Sequence, residues 1–166
     1  MISMTFPPLE PPRILLHVTI PGQPHVQQRA RVSGTIWSKK GKRFVPRFYD
    51  PNSEEKKTFQ WQLKAACPTL KPELHARIGI RLDIWTAKHN AAKEDCDNFL
   101  KFVMDALSPP KPKRKRKKGE PPIDLSKYFA AWGNDNQVDE AYVRIWRGAL
   151  NPKVEIFVYE LPEGEF

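Results

Sequence analysis

Arg77-Ile78-Gly79-Ile80-Arg81-Leu82-Asp83-Ile84-Trp85 is the stretch that decides the fold. Ile78, Ile80, Leu82 and Ile84 alternate with Gly79, Arg81, Asp83 and Trp85. That period of two predicts a strand with one face on a core. Beyond the loop from Ala87 to Glu94 the period changes. From Asp97 onward, Phe99, Phe102, Val103, Ala106 and Leu107 recur at helical spacing, and Ser108-Pro109-Pro110 stops the helix.

Upstream, Ile14, Leu16, Val18 and Ile20 alternate and predict a first strand. Arg29 to Trp37 and Arg43 to Tyr49 can pair as a β-ribbon around the basic tip Ser38-Lys39-Lys40-Gly41-Lys42. Asp50-Pro51-Asn52-Ser53 signals a turn and a helix start, with Asn52 and Glu55 as a capping box or Ser53 as the cap. Phe59, Leu63, Ala66 and Cys67 follow at helical spacing until Pro68. Downstream, Ser108 to Ser126 is rich in Pro, Lys and Arg and cannot pack a core. Order is expected to resume at Tyr128-Phe129. Val143 and Ile145 then belong to one strand, and Val154, Ile156 and Val158 to another, with a turn over 147–152. The expectation is one small α+β domain over 1–166, a mixed sheet packed with two main helices. A flexible N-terminus covers 1–12, and a basic flexible insertion covers 108–127.

A chain of 166 residues buries enough surface to need no disulfide staple. Its two cysteines, Cys67 and Cys96, fit a reducing compartment. No apolar run is long enough to span a membrane, and residues 1–12 lack the apolar stretch of a secretory signal. The net charge is +9 and the pI about 9.6. Seven basic residues fall within Lys111–Lys118, and residues 1–60 hold ten Lys or Arg against four acids. Two basic regions favour a polyanionic partner.

Against that background stands Asp95-Cys96-Asp97-Asn98, with Lys101 a turn later and Asp135 far downstream. Close-set carboxylates repel unless a cation lies between them, and Mg²⁺ prefers oxygen ligands. The plainer reading is that Asp95 and Asp97 cap a helix and complement its dipole. Lys101 could simply pair with Asp97 or Asp105, and Gly133-Asn134-Asp135-Asn136 is on its own a turn. Spacing alone leaves these readings open. There is no P-loop, dinucleotide fingerprint or zinc pattern, so no organic cofactor is expected. The four histidines are scattered without metal-ligand spacing and read as structural or surface residues.

Asp95-Cys96-Asp97-Asn98-Phe99-Leu100-Lys101, then Met104-Asp105-Ala106-Leu107, then Trp132-Gly133-Asn134-Asp135-Asn136-Gln137-Val138, together resemble the RusA family of Holliday junction resolvases. The resemblance implies a homodimer, encoded by a bacterium or a phage, that cuts four-way or otherwise branched DNA by paired symmetric nicks in recombination and repair. It implies a cytoplasmic, nucleoid-associated enzyme with Mg²⁺ as cofactor, Mn²⁺ being expected to substitute. Matched by position, the catalytic and metal-holding acids are Asp95, Asp97 and Asp135. The motif lysine is Lys101, which would neutralise charge on the phosphate. Asn98, Asp105 and Asn134 would support them. Phosphate contacts are expected from Arg29, Arg31, Lys39, Lys40, Lys42 and Arg43, and from Lys113, Arg114, Lys115, Arg116, Lys117 and Lys118. The chain departs from the family pattern in having Asn134 where the family has the first of two acids, in having Glu94 rather than a basic residue before Asp95, and in a longer segment after Leu107. Two rival readings are a DNA-binding module without catalysis and a metal-dependent phosphohydrolase acting on nucleotides or other branched DNA.

Overall fold

The computed structural model describes residues 12–26, 28, 31–88, 95–109, 124 and 129–162. The expected basic run at 111–118, Arg29, the first eleven residues and most of the loop before Asp95 lie outside the described residues. The elements are β1 (Ile14–Pro21), β2 (Arg31–Ser38), β3 (Arg43–Tyr49), α1 (Ser53–Ala66), β4 (Ile78–Thr86), α2 (Cys96–Leu107), β5 (Val138–Arg147) and β6 (Lys153–Glu160). This is a small α+β domain with a mixed sheet and two helices.

The period-two stretch forms β4 at the heart of a four-stranded sheet ordered β1-β6-β4-β5. β4 runs antiparallel to β6 and parallel to β5. Ile78, Ile80, Leu82 and Ile84 are fully buried, and so are Ile156 and Val158 of β6. Phe99, Phe102, Val103, Ala106 and Leu107 of α2, and Phe59 and Leu63 of α1, complete the core. Ala66, expected on the apolar stripe, is exposed, and Cys67 lies just past the helix end.

The other face of β4 is also partly closed. Asp83 is 2 % exposed and paired to Arg81, whose guanidinium also lies over the Phe157 ring. Gly79 pairs with Tyr159, and the tyrosine ring lies where a Cβ at 79 would sit.

The start of α1 corrects one expectation. Asn52 is the N-cap, but its side chain makes no capping hydrogen bond. Its Oδ1 instead accepts from the backbone N–H of Gln28 at 2.6 Å, tying the segment after β1 to the helix start. A buried amide oxygen takes whichever donor the fold brings to it.

β2 and β3 form a separate two-stranded ribbon, as the sequence predicts. Lys42 closes its turn with a φ of 47°, in the left-handed region.

Candidate active site

α2 begins at Cys96, with Asp95 as N-cap in an extended conformation. The Asp95 carboxylate accepts from the Asn98 N–H at 2.9 Å. The capping role is therefore real for Asp95, and it uses one of two carboxylate oxygens. Asp97 is exposed in the first turn, where the helix dipole favours a negative charge. Lys101 is exposed one turn further on and forms no salt bridge among the described residues. Asp105 pairs instead with Lys56 of α1.

Asp135 is placed by a different set of contacts. Ser108 ends α2, and its hydroxyl hydrogen-bonds the Asp135 carboxylate. The Ser108 hydroxyl also lies 2.6 Å from the Met104 carbonyl, so its single proton can serve only one of the two acceptors. The fully buried Trp132 aims its indole N–H at both Ser108 Oγ (3.2 Å) and Asp135 Oδ1 (3.3 Å). Ser108, which the sequence assigns to the start of the basic loop, is thus a buried anchor for the third acid.

Gln137 holds the rest of this corner. Its Oε1 accepts from the N–H groups of Gly133 and Asn134, at 3.0 and 2.9 Å. Its Nε2 donates to the carbonyls of Glu73 and Ala76. Asn134 caps the 3₁₀ turn Asp135–Gln137 by accepting from Asn136 N–H. In the sequence Gln137 stands out only as part of a pattern, because two of its four hydrogen bonds reach carbonyls more than 60 residues away.

The parallel pairing of β4 and β5 fixes how far apart these groups lie. Ile78 at the start of β4 is opposite Val138 at the start of β5, and Thr86 is opposite Arg147. α2 joins the end of one strand to the region before the other, so it must run back along the sheet. Asp95 stands at one end of α2 and Asp135 at the other, separated by about 18 Å of helix at 1.5 Å per residue. In agreement, among the described residues no group of three or more His, Cys, Asp or Glu is close enough to hold a metal ion. Within one chain Asp95 and Asp97 share the start of α2, and Asp135 stands at its far end.

Two shifted groups brace the Asp135 end. Lys56 Nζ lies 2.8 Å from both Asp50 Oδ2 and Asp105 Oδ2. Burial pulls its pKa down, but hydrogen bonds and charge from Asp105 and Asp50 outweigh burial and raise it. The Glu73 carboxylate is held below its ordinary range, chiefly by the N–H of His75, then by those of Ala76 and Leu74 and by the charge of Arg13, against an opposing effect of burial. The Glu73 backbone also brackets the Trp132 segment, donating to the Ala131 carbonyl and accepting from Gly133 N–H.

A family model described as endodeoxyribonuclease RusA matches residues 21–114, more than half of the chain. The chain belongs to the RusA family. The match covers the ribbon, both helices and β4, and so includes Asp95, Asp97 and Lys101, while Asp135 lies beyond it. Membership makes the protein an endodeoxyribonuclease, a Holliday junction resolvase of a family that depends on divalent metal. That sets aside the reading as a binding module without catalysis. A search among curated proteins finds no match. Of the RusA-type phosphate contacts expected from sequence, Arg31, Lys39, Lys40, Lys42 and Arg43 are exposed on the ribbon. Arg29 and the run from Lys113 to Lys118 lie outside the described residues. No helix among the described residues is long and apolar enough to cross a membrane.

Proposed function

We infer that this RusA-family protein resolves four-way DNA junctions as a homodimer, with Mg²⁺, and that each active site is built from two copies. The observation that carries this is the placement of Asp95 and Asp135 at opposite ends of α2. A two-fold axis that sets α2 antiparallel to its mate would bring the start of one helix to the end of the other, twice over. Each site would then receive Asp95, Asp97 and Lys101 from one copy and Asp135 from its partner.

The donor set fits such an ion, since three carboxylates supply hard oxygen ligands. Asp97 is exposed, and Asp135 is oriented by the hydroxyl and indole donors of Ser108 and Trp132. When bound, the ion lowers the pKa of a water and steadies the leaving oxygen. Lys101 would neutralise charge growing on the phosphate. Arg31, Lys39, Lys40, Lys42 and Arg43 would hold the arms through phosphates, joined by Arg29 and the basic run at 113–118. Paired sites suit a substrate with two symmetric strands to cut, and the cellular role is junction processing in recombination and repair in the cytoplasm of a bacterium.

Mixing Asp95→Asn with Asp135→Asn protein tests the arrangement. If sites are shared, each mixed dimer contains one site with both defects and one with neither. Single nicks on a synthetic four-way junction then reappear although each variant alone is inactive. Mixtures as inactive as the separate variants would overturn the shared site. A wild type that leaves junctions uncut in Mg²⁺ and Mn²⁺ would overturn the function.

A further inference from the structure

The β2–β3 ribbon carries more than cations. Cross-strand partners share a face. Trp37 pairs with Phe44, and their rings meet edge to face at 5.1 Å. Ser38 with Arg43, Ile36 with Val45, and Gly34 with Arg47 lie on the opposite face. One face thus presents the Trp37 and Phe44 rings, and the other presents Arg43 and Arg47 with Ile36 and Val45 between them. Trp37 is 53 % exposed and Phe44 68 % exposed, and beyond each other β2 and β3 make no extended contact with another element among the described residues. Among the described residues, these two large exposed rings at the end of a ribbon cover no core.

Charge narrows what they can meet. Residues 31–49 contain six Lys or Arg and no acid. A second copy of this ribbon would be repelled, and an apolar peptide would leave the cations unmatched. Nucleic acid with bases out of the stack offers both flat apolar faces and phosphates. A two-stranded ribbon is also narrow enough to enter a DNA groove, and apolar side chains inserted at a base step unstack it.

The base of the ribbon is tied to the Asp135 corner. Asp50, next to the last residue of β3, is bridged through Lys56 to Asp105, which lies one helical turn before Ser108. Ser108 in turn bonds Asp135. The ribbon and the third acid are therefore fastened to the same end of α2.

We propose that the Trp37–Phe44 pair is a stacking wedge that engages unpaired bases at the crossover of branched DNA, placing the scissile strand for the acids. The proposal rests on the junction-resolving function above. It assigns junction selectivity to the rings and general affinity to the surrounding cations.

The test uses a four-way junction with 2-aminopurine beside the crossover and a linear duplex of the same sequence, in EDTA so that no strand is cut. The wild type should change the 2-aminopurine emission and bind the junction more tightly than the duplex. Trp37→Ala should lose the emission change and weaken junction binding roughly tenfold, with duplex binding unaltered. Trp37→Phe, which keeps a ring, should retain most of both signals. Since Trp37 is exposed, circular dichroism of each variant should match the wild type. Trp37→Ala protein with unaltered emission and unaltered preference for junctions would overturn the wedge and leave the resolvase reading intact. Conversion to a monomer by Trp37→Ala in sedimentation would also overturn it, reassigning the rings to contact between copies. A wild type that binds junction and duplex equally would overturn the junction reading and the wedge together.

Discussion

The hydroxyl of Ser108, the residue that closes α2, hydrogen-bonds Asp135, so the acid most remote in sequence is fastened to the helix that Asp95 opens. The contact is reinforced by the Trp132 indole, which reaches both groups. Ser108→Ala removes the donor and leaves Asp135 with a wider choice of orientation. The expected result is a fall in kcat of about ten- to a hundredfold, with junction binding unchanged. Stability should drop by about 1 kcal/mol, read from urea unfolding.

Gln137 is an amide used at both ends, accepting two backbone N–H groups and donating to two carbonyls. Gln137→Glu keeps the size and the acceptor but turns the donor into a repelling oxygen. It should destabilise the fold by about 2 kcal/mol, the desolvation cost of carbonyls left without a donor. Thermal unfolding checks this. A melting temperature equal to wild type would remove Gln137 from the list of groups that place Asp135.

Lys56 predicts an alkaline limit. Its pKa is raised in the fold, so its stabilisation is complete below the ordinary value of 10.5 and is lost as pH rises through the folded value. Lys56→Met should lower stability at neutral pH by about 1–2 kcal/mol, since both carboxylates keep part of their hydration. The difference from wild type should shrink above pH 10.5. A difference that stays constant there would show that Lys56 acts by packing alone.

Glu73 sets the acid side with the opposite sign. Its pKa is lowered in the fold, so its contribution is present above the ordinary value of 4.5 and disappears as pH falls through the folded value. Glu73→Gln should be less stable than wild type at neutral pH, and the two should converge below that value. Parallel stability curves down to strong acid would contradict the assignment.

Gly79 tests the closed second face of β4. A Cβ at this position meets the ring of Tyr159, whose hydroxyl donates a hydrogen bond to Glu140. Gly79→Ala should cost about 1–3 kcal/mol through overpacking, and Gly79→Ala with Tyr159→Ala should recover part of it. Independent losses in the double variant would rule out the contact.

Local periodicity was enough to read β4, α2 and the ribbon, because each carries its pattern within a short window. Ile78 to Ile84 alternate cleanly, and Phe99 to Leu107 repeat at helical spacing. The order of strands was not legible. Nothing near Val138 or Lys153 says that β6 lies between β1 and β4 while β5 takes the edge beside β4. That order decides the site, since the parallel pairing of β4 with β5 sends Asp135 to the far end of α2. Asn52 misled for a related reason: its sequence context is that of a cap, and its tertiary partner is Gln28. Lys56 counted only as one more positive charge, because the two carboxylates that hold it come from a turn and from another helix.

Under the shared-site arrangement proposed above, the length of α2 would acquire a meaning beyond packing. Its 12 residues would act as a ruler, since Asp95 and Asp97 stand at its start and Ser108 anchors Asp135 at its end. The spacing between the two strand breaks would then be inherited from a count of helical residues. One added turn would push the two half-sites about 5.4 Å apart and turn their acids off the phosphates they must reach together.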